Sequence, residues 1–302
     1  MKLKPFGWII YNGNLPGNKF RDFAEMLQEA AYRACLETSL IPNNASLCLM
    51  DQYELGILDI PEQKLPDFVI FTDKDIYLAK QLELLGIRVF NGAEAIAISD
   101  DKIATYQMLA AHGLAIPKTI IAPKEFNTGG SVPPHYLYGV AETLHFPLVI
   151  KEAFGSFGEQ VYLIHNEEQL HSKTAALRGK PFLFQAYVAN SHGRDIRLQV
   201  VGDQVPAAMK RTSKTDFRAN VTTGGTTQPY EPTEEEIALA IAGTKAIGAD
   251  FAGVDILFGD DDRPIICEIN SNAHIRSMLD CTGINCADSI IEYINSALER
   301  TS

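Results

Sequence analysis

Two carboxylates and an amide near the end of this chain have the residue types and spacing of a hard-cation site. They fall in Ala252-Gly253-Val254-Asp255-Ile256-Leu257 and in Ile265-Ile266-Cys267-Glu268-Ile269-Asn270-Ser271-Asn272, two apolar runs interrupted by oxygen ligands. Glu268 and Asn270 sit two positions apart, so on a strand their side chains leave the same face, and Asp255 can join them from a neighbouring strand. Three oxygen donors on one sheet face suit Mg²⁺, with Mn²⁺ as an alternative, because such an ion keeps several waters and takes the rest of its shell from substrate phosphates. Each residue alone could equally be a solvated strand end. The carboxylates imply a nucleotide only if phosphate-binding groups lie upstream.

Such groups are present, though not as a Walker A or G-x-G-x-x-G motif. Lys151-Glu152-Ala153-Phe154-Gly155-Ser156-Phe157-Gly158-Glu159-Gln160 lies between two expected strands. Gly155 and Gly158, with Ser156 between them, let backbone N–H groups approach an anion, and a hairpin tip of this kind can fold over phosphates. A plain hairpin turn is the alternative, but Lys151 ends an apolar strand, where an ammonium without an anionic partner is costly. Lys102 stands in the first turn of its helix, where a cation opposes the helix dipole; alone it could be a surface lysine. Lys210 and Arg211 at a strand end, and Arg218-Ala219-Asn220 in a polar loop, supply further donors, and a bidentate arginine suits a phosphoryl group in transfer. The strand ending in Gln185, Ala186, Tyr187 and Val188 can offer backbone groups to an adenine edge while apolar side chains sandwich the ring. Asp195, near Arg194 and Arg197, can accept from ribose hydroxyls or pair with an arginine.

The elements that must position these groups follow from periodicity. Residues 6–11 read as a first strand, and residues 19–36 carry apolar positions at helical spacing. A strand at 67–72, a helix at 75–85 closed by Gly86 and a strand at 87–90 complete a β/α alternation, which indicates a small parallel-sheet lobe. Ser99 is placed to cap a helix over 100–112. Residues 123–139 are loop-like; 147–151 and 160–164 form an antiparallel hairpin; a helix over 167–177 leads into the strand 182–188. A second hairpin, 194–201 with 204–211, turns at Gly202-Asp203, and the polar stretch 212–227 reads as a mobile loop over a site. Thr233 caps a helix to about residue 247, the two carboxylate-bearing strands follow, and a helix near 288–298 closes the chain. The expected fold class is α/β: a parallel-sheet lobe over 1–98, then residues 99–302 as two α+β subdomains, about 117–187 and 188–302, gripping the nucleotide.

Composition bounds what such a protein can do. A net charge of -12 and a pI near 5 disfavour nucleic acid as a partner. The N-terminal residues lack a signal-peptide pattern, and no apolar segment is long enough to span a bilayer, so a cytoplasmic protein without a membrane partner is expected. Five cysteines without C-x-x-C spacing fit a reduced compartment. A homo-oligomer is compatible with all of this.

The order of these features along the chain is more specific than any one of them. Lysine, then lysine with a glycine loop, then an adenine strand, Gly-Arg-Asp-Ile-Arg, Phe-Arg-Ala-Asn, and finally Asp with Glu-x-Asn resembles the ATP-grasp superfamily and, within it, the RimK-like α-L-glutamate ligases. The resemblance runs from about Ser99 to the C-terminus. It implies that Lys102 and Lys151 contact ATP phosphates, that residues 152–160 form a flexible phosphate lid and that residues 185–188 form the adenine hinge. It further implies that Asp195 contacts the ribose, that Arg218 to Asn220 contact phosphate and that Asp255, Glu268 and Asn270 bind Mg²⁺. Two departures stand out: Ala186 replaces a frequent hinge glutamate, and Ser271-Asn272-Ala273-His274-Ile275-Arg276 replaces a Ser-Pro-Gly type of run.

The implied reaction is attack of a substrate carboxylate on the γ-phosphate of ATP, giving an acylphosphate and ADP, then displacement of phosphate by an amine. An amino acid such as glutamate and a carboxylate-bearing peptide, protein or small molecule would be the partners. Arg218, with Lys210 or Arg211, would offset charge on the phosphoryl group. Asn272, His274 and Arg276 are the candidates on the acceptor side, Arg276 because a guanidinium matches a carboxylate. No cysteine or serine nucleophile is evident in the sequence. The competing functions are a catalytically silent ATP-binding regulator on the same fold and a scaffold whose acidic face docks a basic partner.

Overall fold

The structure is a computed structural model, and it describes residues 5–58, 64–125, 135–155, 158–219 and 224–301. The first strands are β1 (Phe6–Tyr11), β2 (Glu37–Pro42), a hairpin of β3 (Leu47–Met50) with β4 (Leu55–Leu58), β5 (Phe68–Phe71) and β6 (Arg88–Phe90). Leaving the hairpin aside, they form a wholly parallel sheet in the order β2-β1-β5-β6. Continuous apolar runs such as Trp8-Ile9-Ile10 fit a sheet covered on both faces. Ile9, Phe68 and Ile70 pack with helix α1 (Lys19–Arg33), whereas Trp8, Ile10 and Val69 pack with α2 (Ile76–Leu84). Neighbouring residues thus serve opposite layers, as the two-residue strand period requires.

Helix α3 (Ala93–Asp100) runs almost directly into α4 (Lys102–Ala111). Here the structure corrects the expected cap: Ser99 is inside α3, and the Asp101 side chain accepts from the backbone of Ile103 and Ala104. A carboxylate at this position also suits the helix dipole, and Lys102 still opens the helix.

A second sheet, wholly antiparallel, has the order β7-β10-β8-β9, with β7 (Thr119–Ile121), β8 (Leu148–Glu152), β9 (Val161–Ile164) and β10 (Phe182–Ala186). Helices α5 (Leu137–Leu144) and α6 (Glu167–Ala176) cover its outer face through a core containing Leu137, Val140, Leu170 and Phe184. The expected loop at 123–139 therefore gives way to a helix at its end, while 126–134 lie outside the described residues.

The third sheet is also antiparallel, ordered β13-β12-β11-β14-β15, from β11 (Arg194–Val201), β12 (Gln204–Thr212), β13 (Thr226–Pro229), β14 (Phe251–Phe258) and β15 (Pro264–Asn270). One face packs on α4 and α7 (Glu234–Ala246), and α7 opens with a reciprocal Thr233–Glu236 capping box. Val201, Met209 and Phe251 share a core with α1 and the closing helix α9 (Cys286–Thr301), so the third sheet and the N-terminal sheet clasp the same helices. Helix α8 (Arg276–Thr282), the β3/β4 hairpin, β2 and β7 were not legible in the sequence. Among the described residues, no helix is long and apolar enough to cross a membrane.

Candidate active site

A cleft of about 880 Å³ opens between the second and third sheets, lined by Lys102, Lys151, Gln185, Tyr187, Val188, Asp195, Arg218, Asp255 and Glu268 among others. Val149 and Val161 line it from the second sheet and Leu257 from the third, so both sheets present apolar walls to it. The β10 ladder ends at Ala186 opposite Leu148, so the peptide groups of Tyr187 and Val188 leave the sheet where they reach the cleft.

Lys102 and Lys151 enter from different elements. The Lys102 Nζ donates to the Gly155 carbonyl at 3.0 Å and lies 4.0 Å from Glu268 Oε1. Burial pushes its ammonium below the ordinary lysine range, and Lys151 and Lys74 add to this against the opposing pull of Glu268. Two neighbouring partly desolvated cations favour an anion between them. Lys151 is 7% exposed and donates to the Tyr106 hydroxyl at 2.9 Å, with the Cys267 sulfur at 3.8 Å. Burial works against the Lys151 charge, whereas the Tyr106 hydrogen bond and the Glu268 carboxylate favour it, and the group lies above the ordinary lysine range. The Cys267 thiol is itself pushed up by burial and stays neutral, so its basic neighbour does not make it a nucleophile.

A bulge in β15 sets this constellation. Asp255 pairs with Glu268 but Ile256 pairs with Ile266, leaving Cys267 as the extra residue. Ile266 and Ile269 both reach Gly243 of α7, while Cys267 and Glu268 both line the cleft, an arrangement that strict alternation would forbid. Asn270 lies opposite Gly253, on the same sheet face as Glu268 and Asp255.

Two arginines dominate that face. Arg197 grips Asp255 through both carboxylate oxygens, and Arg211 does the same to Asp195 while also reaching Asp255 Oδ2 at 2.9 Å. Asp195 lines the cleft but is largely buried, and both of its oxygens accept from Arg211. The guanidinium groups of Arg197 and Arg211 overcome burial and hold the Asp255 carboxyl below its ordinary range. Lys210 projects from the opposite face, its Nζ 5.6 Å from the centre of the Phe258 ring, so of the two basic neighbours only Arg211 faces the site side.

Arg218 lies on the cleft rim. It donates to both oxygens of Asp216 at 3.0 and 2.7 Å, and to the Gly158 carbonyl, joining the polar loop to the glycine loop. The base of that loop is fixed at Gly193, whose N–H donates to the Phe217 carbonyl at 2.8 Å. With φ +65° there, a Cβ would stand 2.5 Å from the Ser213 carbonyl oxygen, which accounts for a glycine at the head of the Gly-Arg-Asp-Ile-Arg run. Ser156 and Asn220, both expected at the phosphates, lie outside the described residues.

The three acceptor-side candidates separate. His274 rests on α1, its ring 5.0 Å from that of Phe20 and 5.9 Å from that of Phe23. Asn272 is half-buried in the turn after β15. Arg276, the first residue of α8, is exposed and pairs with Asp22 of α1 at 2.6 Å, and it is not among the residues lining the cleft.

Residues 99–294 match the RimK-like ATP-grasp domain. The chain belongs to that family. Human N-acetylaspartylglutamate synthase A is 32% identical over 278 residues, covering 90% of this chain and 69% of that protein. A probable α-L-glutamate ligase 2 of Shewanella amazonensis is 35% identical over 224 residues, covering 73% of this chain and 71% of that protein. Among solved structures, the ATP-grasp ligase PsnB, complexed with a phosphomimetic variant of its minimal precursor, Mg and ADP, superposes with a TM-score of 0.69 at 14% identity, covering 97% of this chain and 98% of that one. The ATP-grasp fold expected from the order of motifs is the fold observed.

Within this RimK-like protein, the residues that sequence reasoning passed over are Arg197, Tyr106, Cys267 and Asp216. Arg197 carried a usable signal, since its two-residue spacing from Asp195 places both on one strand face. Tyr106 is one turn into α4 from Lys102, and nothing in a helical pattern marks it as the partner of a lysine 45 positions away.

Proposed function

We propose that this chain is an ATP-dependent, ADP-forming carboxylate–amine ligase that joins glutamate or a similar amino acid to a peptide, protein or small-molecule acid through an acylphosphate. The observation that carries it is the convergence of Lys102, Lys151, Arg218 and the Asp255–Glu268 pair, from five separate segments, on one cleft. Glutamate appears in the names of both relatives, which makes L-glutamate the first amino acid to test.

The donor set fits Mg²⁺. Among the described residues no group of three His, Cys, Asp or Glu side chains is placed to hold a metal ion by itself, so phosphates and waters would have to supply the rest of the shell. Glu268 faces the cleft, Asn270 adds an amide oxygen, and Asp255 Oδ1, which accepts from Arg197 alone, keeps a second lone pair, whereas Oδ2 is taken by Arg197 and Arg211. The ion, once bound, would neutralise phosphate charge.

The chain's own residues position and neutralise. Lys102 and Lys151 hold phosphate oxygens, and Arg218 meets charge on the phosphoryl group as the acid's oxygen bonds to the γ-phosphorus and the bond to ADP breaks. The amine nitrogen then attacks the acyl carbon and phosphate departs. Arg218, joined to the Gly158 carbonyl, borders the cleft, and excluding water there protects the acylphosphate from hydrolysis. Arg197 and Arg211 keep Asp255 ionised and aimed.

The deciding experiment is ADP release with Mg²⁺-ATP, a pool of acids and L-glutamate, followed by mass measurement of the product. Release that requires both the acid and the amine, with a matching mass gain, is expected. Stabilisation by Mg²⁺-ATP without amine-dependent release would instead leave a nucleotide-binding module.

A further inference from the structure

The β3/β4 hairpin carries apolar side chains that the N-terminal lobe does not use. Leu47 pairs with Leu58, Cys48 with Ile57 and Met50 with Leu55, so successive pairs face opposite ways. Ile57 and Cys48 turn inward onto the core of Trp8, Ile10 and Val69. The buried Gln81 of α2 donates to the Leu49 and Gly56 carbonyls at 3.0 and 2.8 Å, which fixes the hairpin on that helix. The Leu47–Leu58 pair therefore faces away from the lobe, and both side chains are exposed. Met50 and Leu55 lie on the inward side but overhang the core, and they too are exposed. Tyr53 in the turn is 88% exposed, and Tyr77 and Leu84, one helical turn either side of Gln81, stand out beside the hairpin.

Seven of the fourteen large apolar or aromatic side chains exposed among the described residues gather on this face. Such a concentration marks an interface, which scattered surface residues do not. Neither strand has a second neighbour, and Leu47-Cys48-Leu49-Met50 has no charge or proline to guard its open edge.

We propose that this face is a self-association surface, covered by the same hairpin of a second copy of this chain about a two-fold axis. The seven side chains expose roughly 800 Å², the share each partner gives to a standard interface. The chain carries a net charge of -12, so two copies repel over most of their surfaces. Across residues 47–58 the charges are Asp51 and Glu54 at the turn alone, and on α2 Lys80 and Glu83 neutralise each other. A basic partner finds little here to attract it, whereas a second copy meets its least repulsive and most apolar ground. A two-fold contact asks a surface to be complementary to itself, and an apolar face meets that condition. None of these residues lines the cleft, so each copy keeps its site open and the pairing is independent of the nucleotide chemistry.

The test is sedimentation of the full chain from about 1 to 100 μM, as wild type and as the Leu47→Glu, Tyr53→Glu and Tyr138→Glu variants. Tyr138 is exposed on α5, outside the hairpin face, and serves as the control. The wild type and Tyr138→Glu should sediment at twice the chain mass of 33.2 kDa. Leu47→Glu and Tyr53→Glu should each raise the dissociation constant about a hundredfold while the far-UV circular dichroism stays unchanged. Should Leu47→Glu lose that spectrum, Tyr53→Glu decides, since its side chain stands in solvent at the turn. A wild type of single-chain mass at the highest concentration overturns the proposal and leaves the face to a different protein. A dimer as tight in Tyr53→Glu and in folded Leu47→Glu as in the wild type overturns it too, and places the contact elsewhere.

Discussion

Arg197 holds Asp255 by two parallel hydrogen bonds, Nε to Oδ1 at 2.6 Å and a terminal nitrogen to Oδ2 at 2.7 Å. Arg211 reaches the same Oδ2 and is itself clamped on Asp195, so four charges alternate in sign across β11, β12 and β14. Removing one member leaves a buried charge without its partner. Arg211→Met should therefore cost about 3–5 kcal/mol, read as a lowered urea midpoint with an unchanged slope. A midpoint equal to that of the wild type would mean the network does not hold the sheet together.

Arg218 presents the opposite balance. Its pair with Asp216 is partly exposed and contributes at most about 1 kcal/mol to folding. Arg218→Ala should leave the melting temperature nearly unchanged while lowering turnover roughly a hundredfold. A normal rate of amine-dependent ADP release would remove Arg218 from phosphoryl transfer.

Tyr106 ties Lys151 to the backbone, accepting from its Nζ and donating to the Cys267 carbonyl. Tyr106→Phe takes the hydroxyl away and leaves the ammonium short of a partner in a buried place. Stability should fall by about 1–3 kcal/mol, and the KM for ATP should rise several-fold because Lys151 loses its aim. Binding of ATP at wild-type strength would show that Lys151 does not need this tether.

At Gly253 the β14 backbone is approached by the turn after β15. A Cβ there would lie 2.4 Å from that of Ala273, so Gly253→Ala should destabilise by roughly 1–3 kcal/mol. Combining it with Ala273→Gly should recover most of the loss, as a double-mutant cycle in urea would reveal. Additive losses would place the strain elsewhere.

His274 sets a pH dependence. Its folded pKa, about 4, is below the ordinary 6.5, so between these values the unfolded chain binds the proton more readily. Its contribution is full above pH 6.5 and is lost as pH falls towards 4, amounting to roughly 2 kcal/mol after allowance for partial exposure. Denaturation midpoints at several pH values should show this slope in the wild type and a shallower one in His274→Phe. Parallel slopes would assign the dependence to other groups.

The sequence by itself determined the order of the chemistry and most of the elements that bear it. Apolar runs such as Phe68–Phe71 and the capped helix after Thr233 are local signals, because periodicity and capping depend on near neighbours. The same holds for Glu268 and Asn270 sharing a face, which needs only the two-residue strand period. The tertiary structure alone decided which arginine meets which carboxylate. Arg211 and Lys210 are adjacent in sequence yet face opposite ways, and only the pairing of β12 with β11 brings Arg211 onto Asp195. The β15 bulge placed Cys267 beside Lys151 by breaking the alternation that strand reading assumes. Arg276 was turned away by the start of α8, a helix too short to leave a strong periodic signal. Side-chain partners separated by tens to hundreds of residues are chosen by packing, and no local pattern records that choice.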